Sequence, residues 1–69
     1  MEEMKIMFKN GEYGYYEPIS LSAKEIFKTI IDVKSSLYYK TIVLKEIANG
    51  KCTVIDIQEI VTFGYSTVD

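Results

Sequence analysis

The chain has 69 residues, a formal charge of −2, one cysteine and no histidine. The lone cysteine excludes an intrachain disulfide, the missing histidine excludes the usual Cys/His zinc site, and eight cations that are all lysine offer no arginine fork for reading bases. A single domain of this size sits where one core seldom supplies more than about 3–5 kcal/mol, so with no staple available self-association is the natural supplement.

The opening M-E-E-M-K-I-M-F-K-N starts acidic and breaks its apolar residues with lysines, unlike the basic, then continuously apolar, pattern of a secretion signal. No stretch approaches the roughly 20 apolar residues of a membrane-spanning helix. A cytoplasmic protein with no membrane partner is expected. DNA and RNA are not expected partners either, because clustered cations are absent.

Residues 4 to 17 predict a first β-hairpin. Taking Asn10-Gly11 as a two-residue turn sets Lys9 opposite Glu12, Phe8 opposite Tyr13, Met7 opposite Gly14, Ile6 opposite Tyr15 and Lys5 opposite Tyr16. Met4, Ile6, Phe8, Tyr13 and Tyr15 then form the apolar face; Lys5, Met7, Lys9, Glu12, Gly14 and Tyr16 form the other. Pro18 ends the ladder, since it has no backbone donor.

The stretch Ser20 to Ser36 predicts the one amphipathic helix. Ser22 caps it, Glu25 completes the capping box, and Leu21 and Ile26 occupy the staple positions. Ala23, Ile26, Phe27, Ile30, Ile31 and Leu37 recur at helical steps against a face of Lys24, Glu25, Lys28, Thr29 and Asp32.

After Ser35 and Ser36, Tyr38 to Ala48 reads as a strand that Asn49-Gly50 turns back into Lys51 to Ile57. A two-residue turn here pairs Ile47 with Cys52, Lys45 with Val54, Leu44 with Ile55, Val43 with Asp56 and Ile42 with Ile57. Ile42, Leu44, Ile55 and Ile57 share the core face, and Thr41, Val43, Lys45, Ile47, Cys52, Val54 and Asp56 the other. A short turn over Asp56 to Glu59 leads to a fifth segment in which Val61, Phe63 and Tyr65 alternate with Thr62, Gly64 and Ser66. The fold class is thus α+β, order ββαββ with a possible fifth strand, the helix packed on one face of an antiparallel sheet.

The segment N-G-K-C-T-V-I-D-I-Q-E-I-V, Asn49 to Val61, resembles the hairpin of small flagellar FlbD-type proteins, although Asp56 stands where an asparagine is usual. It covers less than a third of the chain, and no function is carried over. In size and composition the whole resembles accessory proteins of phages or mobile elements of low-GC bacteria.

No catalytic constellation is present. Glu12, Glu46, Asp56 and Glu59 offer no acid beside a base, and they pair more simply with Lys9, Thr53, Lys45 and Lys40 in turn. Cys52 has no histidine to activate it and reads as a small hydrophobe near a turn. No glycine spacing makes a phosphate loop. Neither an enzyme nor a cofactor is expected.

The outer sheet face is more telling. Met7, Tyr16, Val43, Ile47 and Val54 project away from the helix, with Phe63 and Tyr65 as companions, and contiguous apolar surface of this kind marks an interface. Tyr16, Tyr38 and Tyr65 are the aromatic residues expected at its centre. The alternative is that the C-terminal strand folds across this face and closes a small barrel.

The expected function is non-enzymatic binding, by a self-associating phage-type accessory or inhibitor protein that docks on a host protein. The second expectation is a homo-oligomeric sponge for a small nucleotide, with Tyr16, Tyr38 or Tyr39 stacking on a base and Lys5 or Lys40 near a phosphate across a subunit boundary.

Overall fold

The computed structural model of the chain describes residues 1–67. It runs β1 (Glu2–Phe8), β2 (Tyr13–Glu17), α1 (Ala23–Ser36), β3 (Thr41–Glu46), β4 (Cys52–Asp56), a one-turn 3-10 helix (Ile57–Glu59) and β5 (Ile60–Thr67). The five strands form one antiparallel sheet in the order β4-β3-β2-β1-β5, with α1 against one face. The fold is α+β, and the tail is its fifth strand.

Both hairpins turn on Asn-Gly, but through longer loops than two residues. In the first, the Phe8 N–H donates to the Glu12 carbonyl at 2.8 Å and the Gly11 N–H to that of Phe8 at 2.9 Å. This is a three-residue loop, Lys9 to Gly11, with Gly11 at φ 87°. In the second, the Glu46 N–H donates to Lys51 and the Gly50 N–H to Glu46, both at 2.8 Å, so the loop is Ile47 to Gly50, with Gly50 at φ 70°. The asparagine acts alike in each: Oδ1 of Asn10 accepts from the Glu12 N–H and Oδ1 of Asn49 from the Lys51 N–H, each at 2.9 Å.

These loops slip the first register by one residue and the second by two. Side chains alternate with period two, so the first slip reverses β2 against β1 while the second preserves both faces. The observed pairs are Met4↔Tyr16, Lys5↔Tyr15, Ile6↔Gly14 and Met7↔Tyr13. Tyr13 and Tyr15, expected inside, face solvent; Tyr16, expected on the outer face, is 7% exposed within the core. Gly14 makes this fit, because a Cβ there would stand 2.9 Å from the Tyr16 hydroxyl and 3.1 Å from its ring. The ring packs against Gly14, and the Phe8 ring stands nearly perpendicular to it with centroids 6.5 Å apart. In the second hairpin Ile42↔Ile55, Val43↔Val54, Leu44↔Thr53 and Lys45↔Cys52 oppose each other. Leu44, Ile55 and Ile57 are buried and Val43 and Val54 exposed, the faces expected, though Cys52 opposes Lys45 and not Ile47.

The helix begins at Ala23 with the expected capping box: the Glu25 N–H donates to Ser22 Oγ at 3.2 Å and the Ser22 N–H to Glu25 Oε1 at 3.4 Å. A third group comes from β1, where Glu2 Oε1 accepts the Ala23 N–H at 3.0 Å and sets a carboxylate at the positive end of the helix. At the other end, Gln58 Nε2 donates to the carbonyls of Val33 (3.1 Å) and Tyr38 (3.0 Å), and Lys34 Nζ donates to that of Ile60 (2.6 Å). The buried stripe is Ala23, Ile26, Ile30 and Val33. Val33 takes the place expected of Ile31 and Leu37, which are 43% and 81% exposed. The steps of three, four and three keep the stripe narrow, and Ile31 falls beside it.

β5 pairs with β1 through Met4↔Tyr65, Lys5↔Gly64 and Ile6↔Phe63, with a bulge where Met7 gives way to Phe8. Phe63 and Tyr65, expected on the outer face, therefore share the helix side, their centroids 5.0 and 5.5 Å from that of Phe27. The last strand lies along the sheet margin, not across its outer face, and no barrel closes. Three residues nonetheless connect β4 to β5 at opposite ends of the strand order. Four interstrand steps span about 19 Å in a flat sheet, beyond the roughly 14 Å reach of that link. The sheet must curl, and the link is tied at both ends: the Ile57 N–H donates to Lys40 (3.1 Å), and Glu59 accepts from the Lys9 N–H (2.9 Å). Inside the curve lie Met4, Ile6, Tyr16, Leu44, Ile55, Ile57 and Ile60 with the helix stripe.

Candidate functional site

The convex side of the sheet carries no second layer among the described residues. Its rungs read Met7 beside Tyr13, Lys5 beside Tyr15, and then Glu17 beside Lys45 and Val43 beside Val54. Ile47, half-buried, follows Tyr15 in the ladder and donates its N–H to the Tyr15 carbonyl at 3.0 Å. Lys45 pairs with Glu17 at 3.6 Å, not with Asp56 as expected, so a charged rung divides the predicted apolar surface. On one side stand Met7, Tyr13, Tyr15 and Ile47; on the other, the Val43/Val54 pair.

The aromatic half has a definite geometry. Tyr13 and Tyr15, two residues apart on β2 and hence on one face, stand nearly perpendicular with ring centroids 6.1 Å apart. Lys5 Nζ lies 5.1 Å from the Tyr13 centroid and 5.8 Å from that of Tyr15. A cation over two ring faces holds all three side chains in register, and tyrosine then presents apolar area and a polar tip at small entropic cost. Because Gly64 faces Lys5 without a side chain, a hollow of about 290 Å³ opens beside them, lined by Glu3, Lys5, Tyr15, Gly64, Tyr65 and Ser66.

Within one chain the residues expected to hold a nucleotide are not all brought together. Lys5 meets Tyr13 and Tyr15, whereas Tyr38 and Tyr39 occupy the exposed connection between α1 and β3, where the Tyr38 carbonyl is held by Gln58. Lys40 borders a different hollow, of about 320 Å³, whose walls include Ile19, Leu21, Ile26 and Ile42. Tyr16 is removed from stacking by its place in the core. Burial, and then the nearby Glu46 and Glu12 carboxylates, push its phenol above the usual tyrosine value.

The other polar groups have local tasks. Asp56 Oδ1 caps the 3-10 turn by accepting the Gln58 N–H at 3.0 Å, and Glu46 Oε2 accepts from Asn49 Nδ2 at 2.6 Å. Cys52 is exposed at the start of β4. Among the described residues no three His, Cys, Asp or Glu side chains gather to hold a metal ion, and no helix is long and apolar enough to cross a membrane.

Sequence reasoning placed Tyr16, Phe63 and Tyr65 on the outer face, where they are not, and it placed Tyr13 and Tyr15 inside and missed them as site residues. The signal that finds them is Lys9 ahead of Asn10-Gly11, which suits a three-residue loop as well as Asn-Gly alone suits a two-residue one. No protein-family model, no curated protein and no solved structure matches the chain.

Proposed function

We propose that this chain is a non-catalytic binding module that self-associates and docks on another protein through the convex face of its sheet. The observation that carries this reading is the solvent-exposed Lys5–Tyr13–Tyr15 cluster with Met7 beside it, on a face that none of the described residues covers. Tyrosine and methionine concentrate at protein interfaces, and tyrosine, with few rotatable bonds, loses little freedom on binding. An accessory or inhibitor role, of the kind its size and lysine-only basicity suggest for a phage-type protein, belongs to the same reading.

The nucleotide sponge has less behind it, since Tyr16 is buried and within one chain Lys5 meets Tyr13 and Tyr15, not Tyr38 or Tyr39. Calorimetry against cyclic nucleotides separates the two, with no heat expected.

The docking face is tested by affinity capture from the native host with the wild-type chain and with two variants, Lys5→Glu/Tyr15→Ala on the convex face and Lys28→Glu on the exposed side of α1. A bound protein retained by Lys28→Glu and lost, by about tenfold or more, with the face variant is the expected result. Equal capture by both variants would remove the convex face as the docking site.

A further inference from the structure

The β5 strand is eight residues long, I-V-T-F-G-Y-S-T, and has neither a charge nor a proline. It pairs with β1 alone, and Val61, Thr62, Tyr65, Ser66 and Thr67 are all exposed. Sheet margins that stay single are blunted by short strands, lysines, prolines or bulges, because an open row of N–H and C=O groups is a template for another strand. The opposite margin has such protection: β4 is five residues long, follows Lys51 and ends on Asp56. β5 has only the bulge at its start.

The direction of its backbone groups follows from the ladder. Phe8 donates its N–H towards β2, so the even residues of β1 turn that way and the odd ones, Lys5 among them, turn towards β5. Gly64 opposes Lys5. Its neighbours Phe63 and Tyr65 therefore direct their N–H and C=O out of the sheet.

We infer that the β5 margin pairs with the same margin of a second copy, antiparallel about a two-fold axis near Gly64. Pairing a strand with itself normally brings like charges together; this one has none to oppose. About Gly64, residues 61 to 67 run opposite the same residues of the second copy in reverse, and the partly exposed Phe63 of each copy comes opposite Tyr65 of the other on the helix side. The product is one sheet made of two five-stranded halves with both convex faces still free. The assignment deepens the binding reading, of which self-association is a part, and makes the assembly bivalent for its partner.

Sedimentation velocity and amide hydrogen exchange on the full chain test it together. A dimer is expected, with the Phe63 and Tyr65 amides gaining protection as its population rises with concentration. Gly64→Glu places a carboxylate where an added Cβ meets nothing within 4 Å and where Lys5 of the same chain opposes it, so the fold is retained. Across the two-fold axis the two carboxylates face each other, and the dimer should weaken about tenfold, while Gly64→Ala keeps it. A monomer at hundreds of micromolar, protection absent from those two amides in whatever oligomer forms, or a dimer indifferent to Gly64→Glu would overturn the inference. None of these outcomes bears on the docking face, which is read from partner capture by the Lys5→Glu/Tyr15→Ala chain.

Discussion

Tyr16 shows how much one side chain can decide. Its ring occupies the space that Gly14 leaves open, and its phenol ionises later in the folded chain than in the unfolded one, burial being the main cause. A raised folded-state value means that the unfolded state loses this proton first. The contribution of Tyr16 is therefore complete below the ordinary tyrosine value of 10.0 and disappears as pH climbs through the higher folded value. Urea denaturation at rising alkaline pH should show a steeper loss of stability for the wild type than for Tyr16→Phe, which lacks the ionisable group; parallel curves would exclude this role. Gly14→Ala should cost about 1–3 kcal/mol, since the Tyr16 ring must leave its place to admit a methyl group.

Among the elements, α1 is held at both ends by groups from elsewhere in the chain. Its local start signal, Ser22 with Glu25, is legible in the sequence because both partners lie within four residues. The Glu2 carboxylate and the Gln58 amide are not, since 21 residues separate Glu2 from Ala23 and 25 separate Gln58 from Val33. Gln58→Ala removes two hydrogen bonds near the helix end, to the Tyr38 carbonyl and to the Val33 carbonyl, which keeps its bond from the Leu37 N–H, and should cost about 1–2 kcal/mol in thermal or urea unfolding. Leu37 is the converse case, a left-handed residue at φ 61° with its side chain 81% exposed. Leu37→Gly relieves that conformation and should stabilise by about 0.5–1 kcal/mol despite the greater freedom it gives the unfolded chain. Failure of the melting temperature to rise would show that the Leu37 side chain contributes contacts that outweigh the strain.

At the scale of the whole molecule, the curl of the sheet separates a concave side that holds the core from a convex side whose side chains none of the described residues covers. Polar replacements should divide accordingly. Val43→Thr with Val54→Thr, at positions 51% and 65% exposed, should change stability by no more than about 0.5 kcal/mol, whereas Leu44→Ala on the adjacent residue should cost about 2–5 kcal/mol. A large loss from the valine pair would mean that the convex side supports the fold. Local chemistry in the sequence determined the helix and its cap, the two Asn-Gly turns, the α+β class and the faces of β3 and β4, each a matter of neighbours within a few residues or of a period that a two-residue slip leaves intact. Only the tertiary structure decided which tyrosines face solvent, that Phe63 and Tyr65 join the helix side, and that the last strand lies beside β1. Loop length sets register, a one-residue change in register exchanges the two faces of a strand, and the choice between loops of two and three residues rests on how well the whole sheet then buries its apolar side.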